Sequence, residues 1–223
     1  MHRALKCHIS AADVADAPGR SISKHDITGV VLAGGRGSRM GGVDKGLQPL
    51  NLEPLALHAL RRLKPQCGAM LISANRSLEI YAQLGMPFRA KVIVDTFPDF
   101  PGPLAGISAA LRAAQTEFVL FAPCDAPFVD PHLAEWLSEG LSAEQADIAM
   151  AAVIDATGER HLHPVFALLR ASLADDLDAF IRIGERKVRA WYARHKAVEV
   201  TFADERAFYN VNDLHQLADL ERR

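Results

Sequence analysis

Cysteine is scarce in this 223-residue chain, and the three present do not form a set. Cys7, Cys67 and Cys124 are odd in number and far apart. That excludes a disulfide framework and any cysteine-based zinc spacing, and it fits a reducing compartment, the cytoplasm. Long apolar runs are missing as well: none reaches the roughly 18 residues a membrane span needs. Residues 1–26 lack the apolar stretch of a secretory signal. Charge of one sign is not in excess, since the net value is −2. The chain as a whole therefore carries no footprint for a nucleic acid. No internal repeat or low-complexity tract occurs.

What is present is a core. Apolar residues make up 49%, enough for one α/β domain over residues 27–223. Residues 1–26, with Pro18, Gly19 and many small or polar positions, are expected to be a disordered leader; a helical arm against a partner is the alternative. From residue 27 the pattern alternates. Strands are expected at 27–33, 69–73, 91–94 and 117–122, and helices at 53–64, 76–84, 104–114 and 131–139. This alternation predicts a mostly parallel, Rossmann-like twisted sheet with helices on both faces, a three-layer α/β/α sandwich. The unbroken apolar runs Val30-Val31-Leu32 and Phe118-Val119-Leu120-Phe121 suit strands buried on both sides. The second half is less regular, with strands expected at 148–154, 165–169 and 197–202, helices at 173–181 and 188–194, and a last helix capped by Asn212 or Asp213.

The most informative segment follows the first strand. Gly34, Gly35, Gly37, Gly41 and Gly42 are interleaved with Arg36, Arg39 and Lys45. Glycines let backbone N–H groups approach phosphate oxygens, and the three cations add charge at the same place. The dinucleotide fingerprint needs a glycine where Met40 stands, and the P-loop needs Gly-Lys-Ser/Thr where Asp44-Lys45-Gly46 stands. Neither class applies, and a plain turn has no use for such a concentration of glycine and charge. In a parallel sheet, ligands sit beyond the carboxyl ends of the strands. The glycine loop, Asp95 and Asp125 all fall just after expected strand ends, so they can meet in one cleft.

Asp125 ends an apolar strand, where a carboxylate is costly unless paired with a cation. Mg²⁺ bridging it to triphosphate oxygens is the preferred reading, over a helix cap, because Mg²⁺ takes one or two carboxylates plus phosphates. Asp95 has three readings: second metal ligand, nucleotide contact or turn-former. Cys124 has no histidine base at hand in sequence and reads as a packed apolar residue. His161 and His163 could hold a metal by spacing alone, yet no third ligand accompanies them, so surface or substrate-lining roles are preferred. Arg182, Arg186, Lys187 and Arg189 around Gly184 form a second basic cluster, readable as a solvated face or as an anion site for a second substrate. Two anion sites and a metal carboxylate suggest joining two phosphorylated molecules by positioning and charge neutralisation.

The motifs Leu32-Ala33-Gly34-Gly35, Ser38-Arg39-Met40-Gly41, Asp44-Lys45-Gly46, Ala74-Asn75-Arg76, Pro101-Gly102-Pro103-Leu104-Ala105-Gly106, Pro123-Cys124-Asp125-Ala126-Pro127, His163-Pro164, Gly184-Glu185-Arg186 and Asn210-Val211-Asn212 occur in this order. In this the chain resembles the molybdenum cofactor guanylyltransferases, from Ile27 to nearly the end. The resemblance implies a fold of the nucleotide-diphospho-sugar transferase type, with a GTP-binding half over 27–140 and a pterin-acceptor half over 141–223. It implies transfer of GMP from GTP to molybdopterin or Mo-molybdopterin with Mg²⁺, and contacts with proteins that deliver and accept the cofactor. It places Leu32, Ala33, Gly34, Gly35, Lys45, Ser73, Asp95 and Asp125 at the nucleotide. Lys45, Arg39 and Asp125 are the catalytic candidates, with Asp125 the metal ligand, and Arg186, Lys187, Asn210 and Asn212 are the candidates for the pterin. Where the family often has asparagine, this chain has Ser73. Related cytidylyltransferases tend to carry alanine in place of the first glycine of the pair, so Gly34-Gly35 favours guanine. A sugar-phosphate guanylyltransferase, a molybdopterin cytidylyltransferase and a GTP-binding regulatory module are the other readings.

Overall fold

The computed structural model describes residues 8–10, 21–34, 43–97 and 102–211. Gly35, Arg39 and Asn212, together with the expected final helix and the turn at 98–101, lie outside the described residues.

Ten strands are described: β1 His8–Ser10, β2 Ile27–Leu32, β3 Pro49–Leu50, β4 Glu53–Pro54, β5 Ala69–Ser73, β6 Lys91–Ile93, β7 Phe118–Pro123, β8 Ile148–Ile154, β9 Arg160–Arg170 and β10 Ala197–Phe202. The helices are α1 Leu55–Leu63, α2 Leu78–Gly85, α3 Pro103–Ala113, α4 Leu133–Ala143, α5 Ala174–Arg182 and α6 Val188–Tyr192. Eight strands make one sheet in the order β1-β10-β8-β9-β7-β2-β5-β6, and β3 and β4 form a small antiparallel pair. Within the eight-stranded sheet, among the described residues, only β9 runs against its neighbours, pairing antiparallel with both β7 and β8. The expected α/β/α layering is borne out. One core packs α1, α2 and α4 residues such as Leu60, Leu63, Tyr81 and Leu137 against Val31, Leu120 and Val200. The other packs α3, α5 and α6 residues such as Ile107, Leu177 and Trp191 against Val30, Val119 and Leu169. Val30 and Val31 are both fully buried, which explains their unbroken apolar run.

Two local differences from the sequence reading have physical causes. The leader expected to be disordered over 1–26 is structured in part. His8–Ser10 pair with β10 in parallel, His8 opposite Glu199. This strand occupies the outer edge of β10, which would otherwise leave a row of backbone groups unpaired. Further along, Ser23 accepts from His25 N–H at 3.2 Å, and Ser23 N–H donates to Asp26 at 3.1 Å, a reciprocal cap just before β2. The strand expected at 165–169 is longer, because its early residues, Arg160 to His163, pair with the end of β8 beyond a register shift between Met150 and Ala151.

The site is built at one edge of this sheet. Leu32 at the end of β2 lies between Ser73 of β5 and Pro123 of β7 in register. The ladder continues past the strands: Ala33 N–H donates to Ser73 O at 2.7 Å, and Cys124 N–H to Leu32 O at 3.0 Å. Gly102 precedes α3 with φ +73° and ψ −150°, a region essentially closed to residues with a Cβ. Pro103 then opens the helix at its first turn.

Candidate active site

At the carboxyl edge of the central strands, Lys45 Nζ lies 3.3 Å from Asp125 Oδ2, joining positions 80 residues apart. Asp125 is buried, 8% exposed. The structure thus brings two of the three catalytic candidates together, while Arg39 lies outside the described residues. Val211 N–H donates to Asp125 O at 2.9 Å, which sets Asn210, half-buried, beside the same carboxylate segment.

Asp95 is reached from β6 and held by a neighbour the sequence reading did not place at the site. Asn75 Nδ2 donates to Asp95 Oδ2 at 2.7 Å, and Asp95 N–H donates back to Asn75 Oδ1 at 2.9 Å. Ser73 is buried beside it, and Gly106 of α3 approaches both: a Cβ there would stand 2.6 Å from Ser73 Oγ and 3.6 Å from Asp95 Oδ1. Gly34 closes the same pocket, where an added Cβ would meet Asn75 Nδ2 at 3.1 Å. Leu32, Ala33, Gly34, Ser73 and Asp95 therefore share one wall, and Lys45 and Asp125 lie beyond the ends of β2 and β7. Gly35 is outside the described residues.

Burial raises the Asp95 carboxyl above the usual carboxylate range, opposed by the Asn75 amide and the Ser73 hydroxyl. Its Oδ1 has no hydrogen bond of good geometry. An acid with a raised folded-state pKa is most favourable to folding below its unfolded value and loses that contribution as pH rises through the folded one. The Asp95→Asn variant is therefore expected to melt higher than the parent at pH 7. That advantage should shrink toward zero as pH falls to about 4. Melting curves of both chains across this range check it, and an unchanged midpoint at pH 7 contradicts it.

The remaining candidates separate. Arg186 Nη1 donates to Ile181 O and to Glu185 O, both at 2.8 Å, so part of its guanidinium caps the end of α5. Arg186 and Lys187 line a cavity of about 650 Å³ with Pro103, Pro164, Tyr192 and Glu199. The cavity adjoins the start of α3, whose Gly106 faces the Asp95 pocket. His161 and His163 do not converge. His161 pairs with Asp155 at 2.8 Å in the β8–β9 hairpin, whereas His163 stacks on Phe208 with centroids 5.1 Å apart. Asp155, Glu159 and His161 bring ligand atoms within 4.8 Å of one another; Asp155 already accepts the Thr157 and Glu159 N–H groups of that turn. Cys124 is buried, and its thiol is pushed well above the ordinary value by that burial. It packs within the apolar cluster that includes Tyr81 and Ala126. Among the described residues no helix is long and apolar enough to cross a membrane.

Beyond the carboxyl ends of β2 and β7 the structure thus sets a lysine–carboxylate pair beside a wall of Leu32, Gly34, Ser73 and Asp95. The description of the family model that matches residues 29–199 is MobA-like NTP transferase domain, and the chain belongs to this family. Its relatives include a molybdenum cofactor guanylyltransferase of Burkholderia ambifaria, 60% identical over 88% of this chain and 96% of the relative. Another of that name, from Ralstonia nicotianae, is 53% identical over 91% and 99%. Among solved structures, molybdopterin-guanine dinucleotide biosynthesis protein A of Archaeoglobus fulgidus superposes with a TM-score of 0.69 at 26% identity, covering 87% of this chain and 97% of that one. A 4-diphosphocytidyl-2C-methyl-D-erythritolsynthase of Anaerococcus prevotii shares the fold, with a TM-score of 0.69 at 10% identity over 90% and 98%. The resemblance read from the motifs is borne out.

Proposed function

We propose that this chain is a molybdenum cofactor guanylyltransferase of the cytoplasm. It transfers GMP from GTP to the terminal phosphate of molybdopterin or Mo-molybdopterin, giving the guanine dinucleotide form and pyrophosphate. An acceptor phosphate oxygen bonds to the α-phosphorus as the bond to the β-phosphate bridge breaks. The observation that carries this is the Lys45–Asp125 pair, 3.3 Å apart, beside the glycine-lined wall of Leu32 to Gly34. Names of close relatives support the choice of substrates.

In this reading Lys45 holds triphosphate oxygens as a point charge, with Arg39 and the N–H groups of Leu32 to Gly35 as further donors. Asp95, kept in place by Asn75, and Ser73 line the nucleoside end. Asp125 fits Mg²⁺, being a buried carboxylate that already faces a cationic side chain, and such an ion takes one or two carboxylates and completes its shell with phosphates and water. When bound, Mg²⁺ would neutralise charge on the α-phosphate and the leaving pyrophosphate. Arg186, Lys187, Asn210 and Asn212 serve the acceptor, and proteins that deliver the pterin and receive the product dock near them. Turnover with GTP labelled at the α- or the γ-phosphate tests the bond assignment. The α label is expected in the dinucleotide and the γ label in pyrophosphate. Retention of the γ label on the pterin product would exclude the proposed cleavage.

Base choice rests on Gly34. A methyl at this position must push the Asn75 amide aside, and Asn75 holds Asp95. Gly34→Ala is expected to lower kcat/KM for GTP by roughly ten-fold, about 1.4 kcal/mol, and to leave the low rate with CTP nearly unchanged. Parallel kinetics with the two nucleotides check this. An equal loss with both would remove Gly34 from base selection.

A further inference from the structure

The turn that carries Lys45 is held on both sides by residues that the reaction above does not use. Asp44, just before it, accepts a hydrogen bond from Tyr81 Oη at 2.6 Å. The other carboxylate oxygen of Asp44 forms an ion pair with Arg76 Nε at 3.4 Å, and Arg76 Nη2 donates to Val43 O at 2.9 Å. Gly46, just after it, packs so closely that an added Cβ would collide with Tyr81 Oη and stand 3.1 Å from both Cβ and Sγ of Cys124. Tyr81 is fully buried in α2, and burial raises its hydroxyl well above the ordinary value, so it stays protonated and donates. A buried hydroxyl needs a partner, and an anionic one gives the stronger bond.

The arrangement matters because a lysine side chain is long and its charge is compact. Four methylene torsions separate the ammonium from the backbone, so its useful position depends on where the turn is anchored. Here the flanking residues share one anchor, Tyr81, and that anchor packs beside Cys124, the neighbour of Asp125. Lys45 and Asp125 are thereby referenced to the same buried ring. We infer that Tyr81, assisted by Arg76, is the positioning residue for Lys45: by clasping Asp44 it fixes the turn from which Lys45 reaches the triphosphate. The inference rests on the proposed contact of Lys45 with GTP.

Tyr81→Phe removes one oxygen and keeps the ring. The experiment measures the dissociation constant of GTP with Mg²⁺ for the full chain by calorimetry, well below the melting midpoint. The chains compared are the parent, Tyr81→Phe, Arg76→Met, Lys45→Met and Tyr81→Phe with Lys45→Met. Tyr81→Phe is expected to weaken GTP about five- to ten-fold, and Arg76→Met to weaken it in the same direction by less. In the Lys45→Met background, Tyr81→Phe is expected to add less than about a two-fold loss, because a residue acting through Lys45 has nothing left to position. A full additional loss in the double variant overturns the inference, since Tyr81 then acts by general loosening. Parent-like binding by Tyr81→Phe and Arg76→Met, with weak binding by Lys45→Met, overturns the clasp alone. Parent-like binding by Lys45→Met overturns both the clasp and the role of Lys45. Should Tyr81→Phe not fold, Arg76→Met with and without Lys45→Met makes the same comparison, because the Arg76 side chain is 33% exposed.

Discussion

Replacing Asp125 with alanine is expected to lower turnover by roughly three orders of magnitude, about 4 kcal/mol of transition-state stabilisation. Asn is expected to do no better, since an amide keeps the shape but carries no charge. The size follows from what the carboxylate is asked to do. It is 8% exposed, lies beyond the end of β7 and meets a cation already. In phosphoryl transfer there is little covalent work for side chains, so a charge lost at the α-phosphate is lost from the main source of catalysis. The fold should survive: the backbone bonds at this corner, Cys124 N–H to Leu32 O and Val211 N–H to Asp125 O, do not need the side chain. Steady-state kinetics together with far-ultraviolet dichroism separate the two effects. A folded Asp125→Ala chain that keeps more than about a tenth of its Mg²⁺-dependent rate contradicts the assignment.

Lys45→Met is expected to reduce kcat/KM for GTP by roughly 10²-fold, the loss of a charge-assisted contact worth about 1.5–3 kcal/mol. Methionine keeps the length of the stem and removes the ammonium. Arginine is expected to restore little, because its planar fork is larger than an ammonium whose turn is packed against Tyr81 and Cys124 through Gly46. Rates measured over a range of GTP concentrations report the effect. A Lys45→Met chain within about three-fold of the parent excludes Lys45 from the nucleotide site.

Much of this site is legible in the sequence because strand ends are. Unbroken apolar runs mark β2 and β7 as interior strands, and topology alone then brings residues 34, 95 and 125 to one edge. The Lys45–Asp125 contact is the physical form of that argument. The supports of these residues are less legible. Asn75 stands in a recognisable motif, but its two hydrogen bonds with Asp95 depend on how β5 and β6 align. Tyr81 in an amphipathic helix reads as core, which it is. Only the rotation of α2 against the Lys45 turn aims its hydroxyl at Asp44. Arg186 belongs to a run of charge that reads as a solvated face or as an anion site, and one of its guanidinium nitrogens is bound to the end of α5. The reversal of β9 has no local signal, since an antiparallel strand inserted in a buried sheet shows the same apolar run as its neighbours. His8–Ser10 is too short for any periodicity to show.

The central claim is that this cleft joins a guanylyl group to a pterin phosphate. It is tested most directly by incubating the purified chain with Mg²⁺, molybdopterin and either GTP or CTP, with a sugar 1-phosphate as alternative acceptor, and measuring pyrophosphate. The account predicts one pyrophosphate per guanine dinucleotide formed with GTP and molybdopterin, and far less with CTP or with the sugar phosphate. Preferential release with CTP or with the sugar phosphate, or GTP bound with no release at all, would contradict it.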